Sequence, residues 1–258
     1  MSSRSRAIAI LELLAHQPVG LPSTEIARRL SVPLAATERL LIGLIESDYC
    51  YRDTRTGLVR LRVKLAALGL AFLGASGITD LVQPILDDLA KRTGELVRLA
   101  VIEGDRLTWV AKSLGSRNGL IYSPDAGSDV YLAATANGQA WLACLIEADA
   151  RRLIEAQGMP RSGLGPNAPD DIETLLKQID ATRDRKYATV SEAYEAGTSA
   201  MAAAIRRRSS GVPVGTVSVA GPTLRMVPER MIEIAPWLLA CADELGAASA
   251  SSPLFAPR

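Results

Sequence analysis

Residues 21–47 read Leu21-Pro-Ser-Thr-Glu-Ile-Ala-Arg-Arg-Leu30, then Ser31-Val-Pro33, then Leu34-Ala-Ala-Thr-Glu-Arg-Leu-Leu-Ile-Gly-Leu-Ile-Glu-Ser47. The first run places Ile26, Ala27 and Leu30 on one face of a helix, and the second repeats Leu41 and Leu44 at helical spacing. Only three residues separate the two predicted helices. A turn this tight between two helices is typical of a helix-turn-helix.

The flanks of this motif carry the patterns of one more helix and of a wing. Upstream, residues 6–15 repeat apolar side chains at helical spacing and stop before the breakers Pro18 and Gly20. Downstream, residues 49–62 hold two short β-prone runs around a polar turn that ends at Gly57. We therefore predict a winged helix-turn-helix DNA-binding domain over residues 1–62.

A linker helix and a larger mixed domain are predicted after the wing. Residues 63–75 are rich in Leu, Ala and Gly with few charges, which indicates a helix buried against an apolar partner. The boundaries that we predict are a linker helix at 63–77, an effector-binding domain at 78–247 and a disordered tail at 248–258. Strands are expected at 96–102, 107–113, 119–123, 199–206 and 212–219, and helices at 79–92, 134–145, 148–157, 170–185 and 228–246, the last interrupted at Pro236. Strands and helices in this order predict an α+β fold around a sheet.

Composition and charge exclude several classes of protein. No apolar run approaches the ~20 residues that span a bilayer, and the basic start lacks the cleavage site of a secretory signal, so a cytoplasmic protein is expected. Three distant cysteines and a single histidine offer no metal-ligand spacing, and we predict no metal and no cofactor. The net charge is +1, but residues 1–62 carry nine arginines against six acidic residues. This basic excess lies where DNA binding is predicted.

The first turns of the second helix in the motif are the natural base-reading positions, because a recognition helix inserts its N-terminal side chains into the major groove. Thr37 and Arg39 have the groups to read bases or hold phosphates, and small alanines allow close approach to thymine methyls. Arginines of the wing suit phosphate contacts, although solvated arginine side chains would give the same pattern. The candidate DNA contacts are Thr24, Leu34, Ala35, Ala36, Thr37, Arg39, Arg52, Arg55 and Arg60.

The chain resembles the IclR-type transcriptional regulators over residues 4–246. The resemblance rests on Ile8-x-Ile-Leu-x-Leu-Leu14, Glu25-Ile-Ala27, Pro33, Arg39-Leu-Leu41 and Leu44, then Thr93-Gly-Glu95, Leu99-Ala-Val101, Leu132 with Ala134-Thr-Ala136, Gly138-x-Ala140 with Leu142-Ala143, Gly197, Ala202-Ala203 and Ser218-x-x-Gly-Pro222. It implies a C-terminal GAF-like α/β sensor domain, a homodimer or homotetramer, and a near-palindromic double-stranded DNA operator. It also implies control of genes for the breakdown of small aromatic or carboxylic acids.

Carried over to this chain, the resemblance puts the effector pocket near Ala136, Asn137, Ala200, Thr216 and Ser218. The chain departs from the family where Ala133, Val190, Ala200 and Gln139 replace residues that are often His, Asp, Cys and Lys. These changes remove polar and ionisable groups, so we expect a larger and more apolar ligand, with an aromatic effector favoured. Further candidates for lining the pocket are Trp109, Tyr122 and Met201.

Two other classes of function stay open at this point. An enzyme is not expected, because the serines have no histidine base except His16 in the predicted DNA-binding domain, although Glu192 and Glu195 could form an acid pair. A winged helix used only for contacts with proteins is the other alternative. Salt separates it from a DNA-binding protein, because phosphate contacts weaken steeply as ionic strength rises.

Overall fold

The computed structural model describes residues 3–115, 122, 127, 129–159 and 163–255. The chain divides into two compact units, Met1–Leu73 and Gly74–Arg258. Most of the strand predicted at 119–123 lies outside the described residues. The two units are described separately below.

The first unit is a winged helix-turn-helix, which confirms the predicted fold. Its elements are α1 (Ser3–Ala15), α2 (Ser23–Leu30), α3 (Leu34–Glu46), β1 (Cys50–Arg52) and β2 (Val59–Leu61). Ser31 adopts a left-handed conformation with a φ of 53° and ends α2. The predicted apolar faces meet in one core, where Ile10, Ile26 and Leu41 are each at most 1% exposed.

The next helix, α4 (Val63–Ala75), has no buried residue. Val63, Leu70 and Phe72 are 82%, 69% and 53% exposed. The helix is therefore where the sequence predicts it, but the apolar partner that its composition suggests does not come from the described part of this chain. Among the described helices none is long and apolar enough on its own to cross a membrane, and only α4 taken together with the helical segment after it, at a bend, reaches the length and composition required.

The second unit is built on a five-stranded antiparallel sheet in the order β4-β3-β7-β6-β5. Its elements are α5 (Gln83–Thr93), β3 (Leu96–Glu103), β4 (Arg106–Leu114), α6 (Ala136–Leu142), α7 (Glu147–Gln157), α8 (Ile172–Arg185), β5 (Ala188–Ser191), β6 (Thr198–Arg206), β7 (Pro213–Pro222) and α9 (Pro228–Ala248). The short strand β5 was not predicted, because four residues are too few for a clear alternation. The predicted interruption at Pro236 is wrong: α9 is continuous, and Pro236 and Ile232, the residue one turn before it, both lie on the exposed side of the helix.

The two faces of the sheet differ in kind. Successive side chains of a strand point to opposite faces, so Val217 and Val219 lie on the face against which α5 and α9 pack. Thr216 and Ser218 lie on the other face, under α6, where Asn137 Nδ2 donates to Thr216 Oγ1 at 2.9 Å. The α6 face thus carries hydroxyls and small side chains on β6 and β7, beside a hydrophobic cluster in which Ala100 and Trp109 meet Trp141 of α6.

The C-terminal segment is folded as far as Phe255, which corrects the predicted disordered tail at 248–258. Two short 3-10 turns, Ser249–Ser251 and Pro253–Phe255, follow α9. Phe255 is 2% exposed, and Ser252 Oγ donates to the Ser76 carbonyl. One aromatic side chain with a buried place in the unit is enough to order a segment whose composition alone suggests disorder.

Candidate functional site

An exposed stripe runs along α3, and it includes most of the predicted base-reading positions. Leu34 is 44% exposed, and Ala35 and Arg39 are exposed one helical turn apart. Ala36 is half-buried. Ile42, which the sequence reasoning did not single out, is 55% exposed on the same stripe. An apolar side chain left in water on a recognition helix is suited to contact with a thymine methyl.

The predicted DNA contact at Thr37 has to be corrected. Thr37 is 1% exposed, and its Oγ1 donates to the Pro33 carbonyl at 3.2 Å. The side chain closes the first turn of α3 from within and faces the core rather than the exposed stripe. The next residue, Glu38, lies beside that stripe and pairs with Arg52 of the wing, with Arg52 Nη2 2.6 Å from Glu38 Oε2.

Two arginines of the wing differ in how available they are: Arg55 is exposed, whereas Arg60 is half-buried. Asp53 accepts hydrogen bonds from the backbone N–H groups of Thr56 and Arg55, both at 2.9 Å, which lowers the pKa of this carboxyl and fixes the turn. Arg55 is exposed at the tip. Arg60 is half-buried beside Asp53, 3.7 Å away, with its stem against Gly20, so its guanidinium is less available than that of Arg55.

Thr24 is exposed in the first turn of α2. The last turn of the same helix carries Arg28 and Arg29, and both guanidiniums contact Glu25, at 2.7 and 2.6 Å. Hydrogen bonds from these two arginines lower the pKa of Glu25 to about 2. The basic groups of α2 are therefore already partly neutralised, unlike Arg39, for which the described part of the chain offers no hydrogen bond or ion pair.

In the second unit, a cavity opens on the α6 face of the sheet, which we call the Arg98 cavity. It is lined by Arg98, Tyr122, Thr135, Ala136, Asn137, Val190, Tyr194, Thr198, Ser199, Ala200 and Ala220. Thr135 caps α6 by accepting the Gly138 N–H at 3.0 Å, which holds Ala136 and Asn137 at the cavity. The side chains leave about 20 Å³ free, room for about one water. A larger ligand must therefore displace Tyr122 or Tyr194.

The base of this cavity holds a buried cation whose Nε has no hydrogen-bond partner among the described residues, although Tyr122 and Glu195 lie near enough to favour its charged form. Arg98 is 5% exposed, and its guanidinium carbon lies 3.9 Å from the centroid of the Trp109 ring. Burial lowers the pKa of Arg98. In the sheet register Arg98 lies beside Ser218. Within the described ranges, only four buried side-chain nitrogen or oxygen atoms lack a hydrogen-bond partner, and three of them belong to Arg98, Trp109 and Ser218.

Tyr122 lines the same cavity as Arg98. Burial, opposed by the charge of Arg98 and assisted by Glu195, raises the pKa of the Tyr122 phenol to about 12. The phenol is therefore neutral at physiological pH and can donate a hydrogen bond to an acceptor near Arg98.

Six of the eight predicted effector-binding residues meet on this side of the sheet around the cavity. Tyr122, Ala136, Asn137 and Ala200 line it, and Thr216 and Ser218 lie on the same face of the sheet. Trp109 lies beneath Arg98 rather than at the opening. The placement of Met201 has to be corrected: it points to the opposite face from Ala200, because successive residues of β6 alternate.

Seven of the eleven cavity residues are not among the predicted effector contacts, and Arg98 and Tyr194 are the largest of them. Arg98 stands in Leu96-Val-Arg-Leu-Ala-Val-Ile102, where six apolar residues surround one charge. A strand of this composition is expected to be buried on both faces, so a charge inside it should have stood out as a buried charge in need of a partner. The sequence therefore carries a signal for this site, a single charge inside a strand of apolar residues.

Comparison with known proteins covers both units. The family model described as the C-terminal domain of the bacterial transcriptional regulator IclR matches residues 70–247, and that of the IclR helix-turn-helix domain matches residues 3–54. The HTH-type transcriptional repressor AllR of Escherichia coli strain K12 is 26% identical over 227 residues, which cover 88% of this chain and 82% of that protein.

Two solved structures share the fold. An IclR transcriptional regulator from Alicyclobacillus acidocaldarius aligns with a TM-score of 0.83 at 23% identity, covering 95% of this chain and 97% of that one. An IclR homologue from Microbacterium hydrocarbonoxydans, complexed with 4-hydroxybenzoate, aligns with a TM-score of 0.77 at 20% identity, covering 97% of this chain and 100% of that one.

Proposed function

The chain belongs to the IclR family of bacterial transcriptional regulators, and we propose that an aromatic carboxylate bound beside Arg98 controls its affinity for a near-palindromic operator. DNA binding through a helix-turn-helix and regulation of transcription are the properties of the family. The chemistry of the effector, the assembly and the residues that carry them are the parts that we propose for this chain.

The single observation that carries the effector proposal is the buried guanidinium of Arg98, whose Nε lacks a hydrogen-bond partner among the described residues. A buried charge that is incompletely paired costs roughly several kcal/mol, and this cost falls when an anion binds. A carboxylate can accept two hydrogen bonds from one guanidinium in a planar fork. The free hydroxyl of Ser218 lies beside Arg98 in the register and offers a further donor to the same group.

The remaining lining favours a flat apolar body on that carboxylate. Ala136, Val190 and Ala200 supply small apolar walls, and Tyr122 and Tyr194 supply rings that can stack on another ring. The expected apolar character therefore applies to the walls of the cavity. The base of the cavity differs from them, because it carries the charge of Arg98. The 4-hydroxybenzoate in the complex of the Microbacterium relative is a ligand of this class.

The DNA contacts that we propose are the exposed side chains of α3 and the wing. Arg39 and Ile42 are exposed on α3, and Arg55 is exposed at the wing tip. Arg39 would read a base edge or hold a phosphate, Ile42 would contact thymine methyls, and Arg55 would hold a phosphate.

We propose a homodimer as the DNA-binding unit, with a homotetramer as its possible further assembly. Two copies are needed to match the two halves of a near-palindromic site. The exposed apolar side chains of α4, Val63, Leu70 and Phe72, are the kind of surface that a second copy covers. A protein of this class acts in the cytoplasm and has no catalytic role. Glu192, one of the two acids considered for catalysis, instead accepts the Gly197 N–H at 2.8 Å and so holds a turn.

The effector proposal is tested by calorimetric titration of the full chain with benzoate, 4-hydroxybenzoate and phenylacetate, each beside its neutral amide. Because the amide has the same shape without the charge, we expect at least one acid to bind more than tenfold tighter than its amide. Binding of the amides as tight as that of the acids, or no binding by any acid, would overturn the role of Arg98 and leave the DNA-binding half standing.

The DNA-binding half is tested by fluorescence anisotropy with a site selected from random duplexes. We expect affinity to fall steeply with salt, because phosphate contacts release counterions. The winning effector should then change that affinity. Failure to select any duplex would favour the alternative of a winged helix that binds only proteins.

A further inference from the structure

A second cavity lies at the other end of α6, and we call it the Cys144 cavity. Its volume is about 330 Å³. It is bordered by the end of α6, the end of α8, the last residues of β6 and one side of α9. Among the described strands, β5 pairs with β6 only from Ser199 to Ala202. The cavity occupies the space beside Ala204 and Arg206, where β5 has not yet begun.

Positive charge predominates around this cavity. Its lining includes Arg183, Lys186 and Arg206 and a single acid, Asp243. Asp243 is itself bound by Arg208, with Arg208 Nη2 2.5 Å from its carboxylate. The cations therefore face the cavity with little compensation from the described acidic groups.

Two of the three cations have donors to spare. Arg183 is committed, because its guanidinium donates to the carbonyls of Ala143 and Leu145 at 3.2 and 2.9 Å and pairs with Asp180. Arg206 gives one nitrogen to the Gly211 carbonyl at 2.9 Å. The backbone N–H of Lys186 donates to the Thr182 carbonyl at 2.9 Å, but its ammonium forms no hydrogen bond or ion pair with any described residue.

Apart from Cys144 and Thr182, whose hydroxyl already donates to the Gln178 carbonyl at 2.9 Å, the rest of the lining is apolar and mostly small. Ala140, Ala204, Leu239 and Ala242 contribute methyl and isobutyl groups. A fully hydrated inorganic anion would leave this surface uncovered. A carboxylate on a short alkyl chain would cover it and reach the two available cations at the same time.

We propose that the Cys144 cavity is a second ligand site, separate from the Arg98 cavity, that binds small aliphatic carboxylates through Lys186 and Arg206. Its ligand differs in class from the aromatic acid proposed for the Arg98 cavity, because the lining has no aromatic side chain to stack on a ring. Helix α6 borders both sites, with Ala136 at one and Ala140 at the other.

Cys144 provides a direct test, because its thiol lines the cavity while Cys50 and Cys241 are buried. Iodoacetate is itself a small aliphatic carboxylate, and iodoacetamide is its neutral counterpart. Both alkylate thiolates, so the ratio of their rates at one cysteine is independent of how much thiolate is present. The rates are measured on the full chain by mass spectrometry of the peptide that contains Cys144, with glutathione as the reference thiol.

We expect the iodoacetate-to-iodoacetamide ratio at Cys144 to exceed that of glutathione at least tenfold, because a cationic cavity concentrates anions. The iodoacetate rate should saturate with concentration, and butyrate should compete while inorganic phosphate does not. A ratio equal to that of glutathione, or a rate that rises linearly without saturation, would overturn the site. Competition by phosphate and not by butyrate would overturn the assigned ligand class.

The matched variants are Lys186→Gln and Arg206→Gln beside the control Arg185→Gln. Arg185 belongs to the same helix end as Lys186, but its guanidinium lies over the Tyr187 ring at 5.7 Å and it does not line the cavity. Each of the first two variants should lower the ratio at Cys144 several-fold, and the control should not. Equal ratios in all three variants would show that these cations do not bind the anion.

Discussion

Two arginines, Arg39 in the first unit and Arg98 in the second, show how differently the two halves of this protein use charge. Arg39 is exposed on α3, where water solvates it before any partner arrives. Arg98 is 5% exposed, lies on the ring of Trp109 and has no ion pair among the described residues. The charge of Arg39 therefore costs no free energy before DNA binds, whereas the buried charge of Arg98 costs free energy until an anion neutralises it.

The difference follows from the two partners. DNA presents a regular array of phosphates, so many exposed cations share the work and each contributes modestly. A small effector makes few contacts, and each must therefore be strong enough to distinguish two conformational states. We infer that the effector unit gains its selectivity from a single buried charge, whereas the DNA-binding unit gains affinity from several exposed ones.

The largest effect is expected for Arg98→Met. If this variant still bound the aromatic acid as tightly as the wild type, the contrast drawn between Arg39 and Arg98 would not hold. Removing one partner of a buried charge pair costs about 2–5 kcal/mol, so binding of the aromatic acid should weaken by roughly 30- to 5000-fold. Calorimetry measures this loss. The unfolding temperature of the ligand-free variant should not fall, because the loss of the contact with Trp109 is offset by relief of the buried charge.

A fall of several degrees in the unfolding temperature of ligand-free Arg98→Met, with ligand binding intact, would assign Arg98 a purely structural role. Affinity of the ligand-free variant for the selected DNA provides the control. It should equal that of the wild type, because the substitution lies in the second unit.

The next largest effect is expected for Arg39→Ala. A base contact made by arginine is worth about 1–3 kcal/mol, so DNA affinity should fall by roughly 5- to 150-fold without a change in unfolding temperature. Anisotropy across a salt series separates the two possible roles, because a lost phosphate contact also makes the dependence on salt shallower. Arg92→Ala, which removes an exposed arginine from α5, is the charge-matched control, and an equal loss in both variants would remove the assignment.

A smaller effect is expected for Thr135→Ala, which tests how the second unit holds its site. Thr135 is 5% exposed, and its hydroxyl caps α6 and donates to the Tyr131 carbonyl at 2.7 Å. Loss of such a cap costs about 1 kcal/mol. Thermal unfolding should show the loss, and Thr135→Ser should restore the wild-type value. Equal unfolding temperatures for the Ala and Ser variants would show that the cap contributes nothing.

The smallest effect is expected for Glu38→Gln, which sharpens the comparison on the DNA side. Glu38 and Arg52 are 38% and 37% exposed, and an exposed pair of this kind is worth about 0.2–1 kcal/mol. Removing the acid frees Arg52 and one negative charge beside the groove, so DNA affinity should rise a few-fold at low salt. The gain should vanish at high salt, and a gain that persists there would point to a contact other than a screened charge.

Sequence patterns predicted the first unit better than the second for a physical reason. In the winged helix, each helix has one buried face, so a period of 3.6 residues indicates both the element and its orientation. The exception is Thr37, whose hydroxyl bonds to its own backbone, and such a local bond leaves no trace in the periodicity.

In the second unit, the pattern predicted most of the sheet but not the buried charge at the Arg98 cavity. The resemblance to the family indicated Asn137, Thr216 and Ser218 on one face, and the structure places them there. It did not indicate Arg98: the lone charge in an apolar strand can be read from the sequence, but the groups that surround it are known only when the neighbouring strands are in place. The four-residue strand β5 was missed because its pairing with β6, rather than its composition, defines it.

The alternation of the sheet has a consequence for how specificity can change. Positions 216, 218 and 220 of β7 lie on the face of the Arg98 cavity, whereas Val217 and Val219 lie on the opposite face. Gly138 of α6 is fixed, because a Cβ there would lie 2.2 Å from the Leu132 carbonyl oxygen. Substitutions at alternate residues of the strands can thus change the effector preference, while the residues between them keep the fold stable. For anyone building a biosensor from this protein, the library belongs on every second position of the sheet, with the helix left as it is.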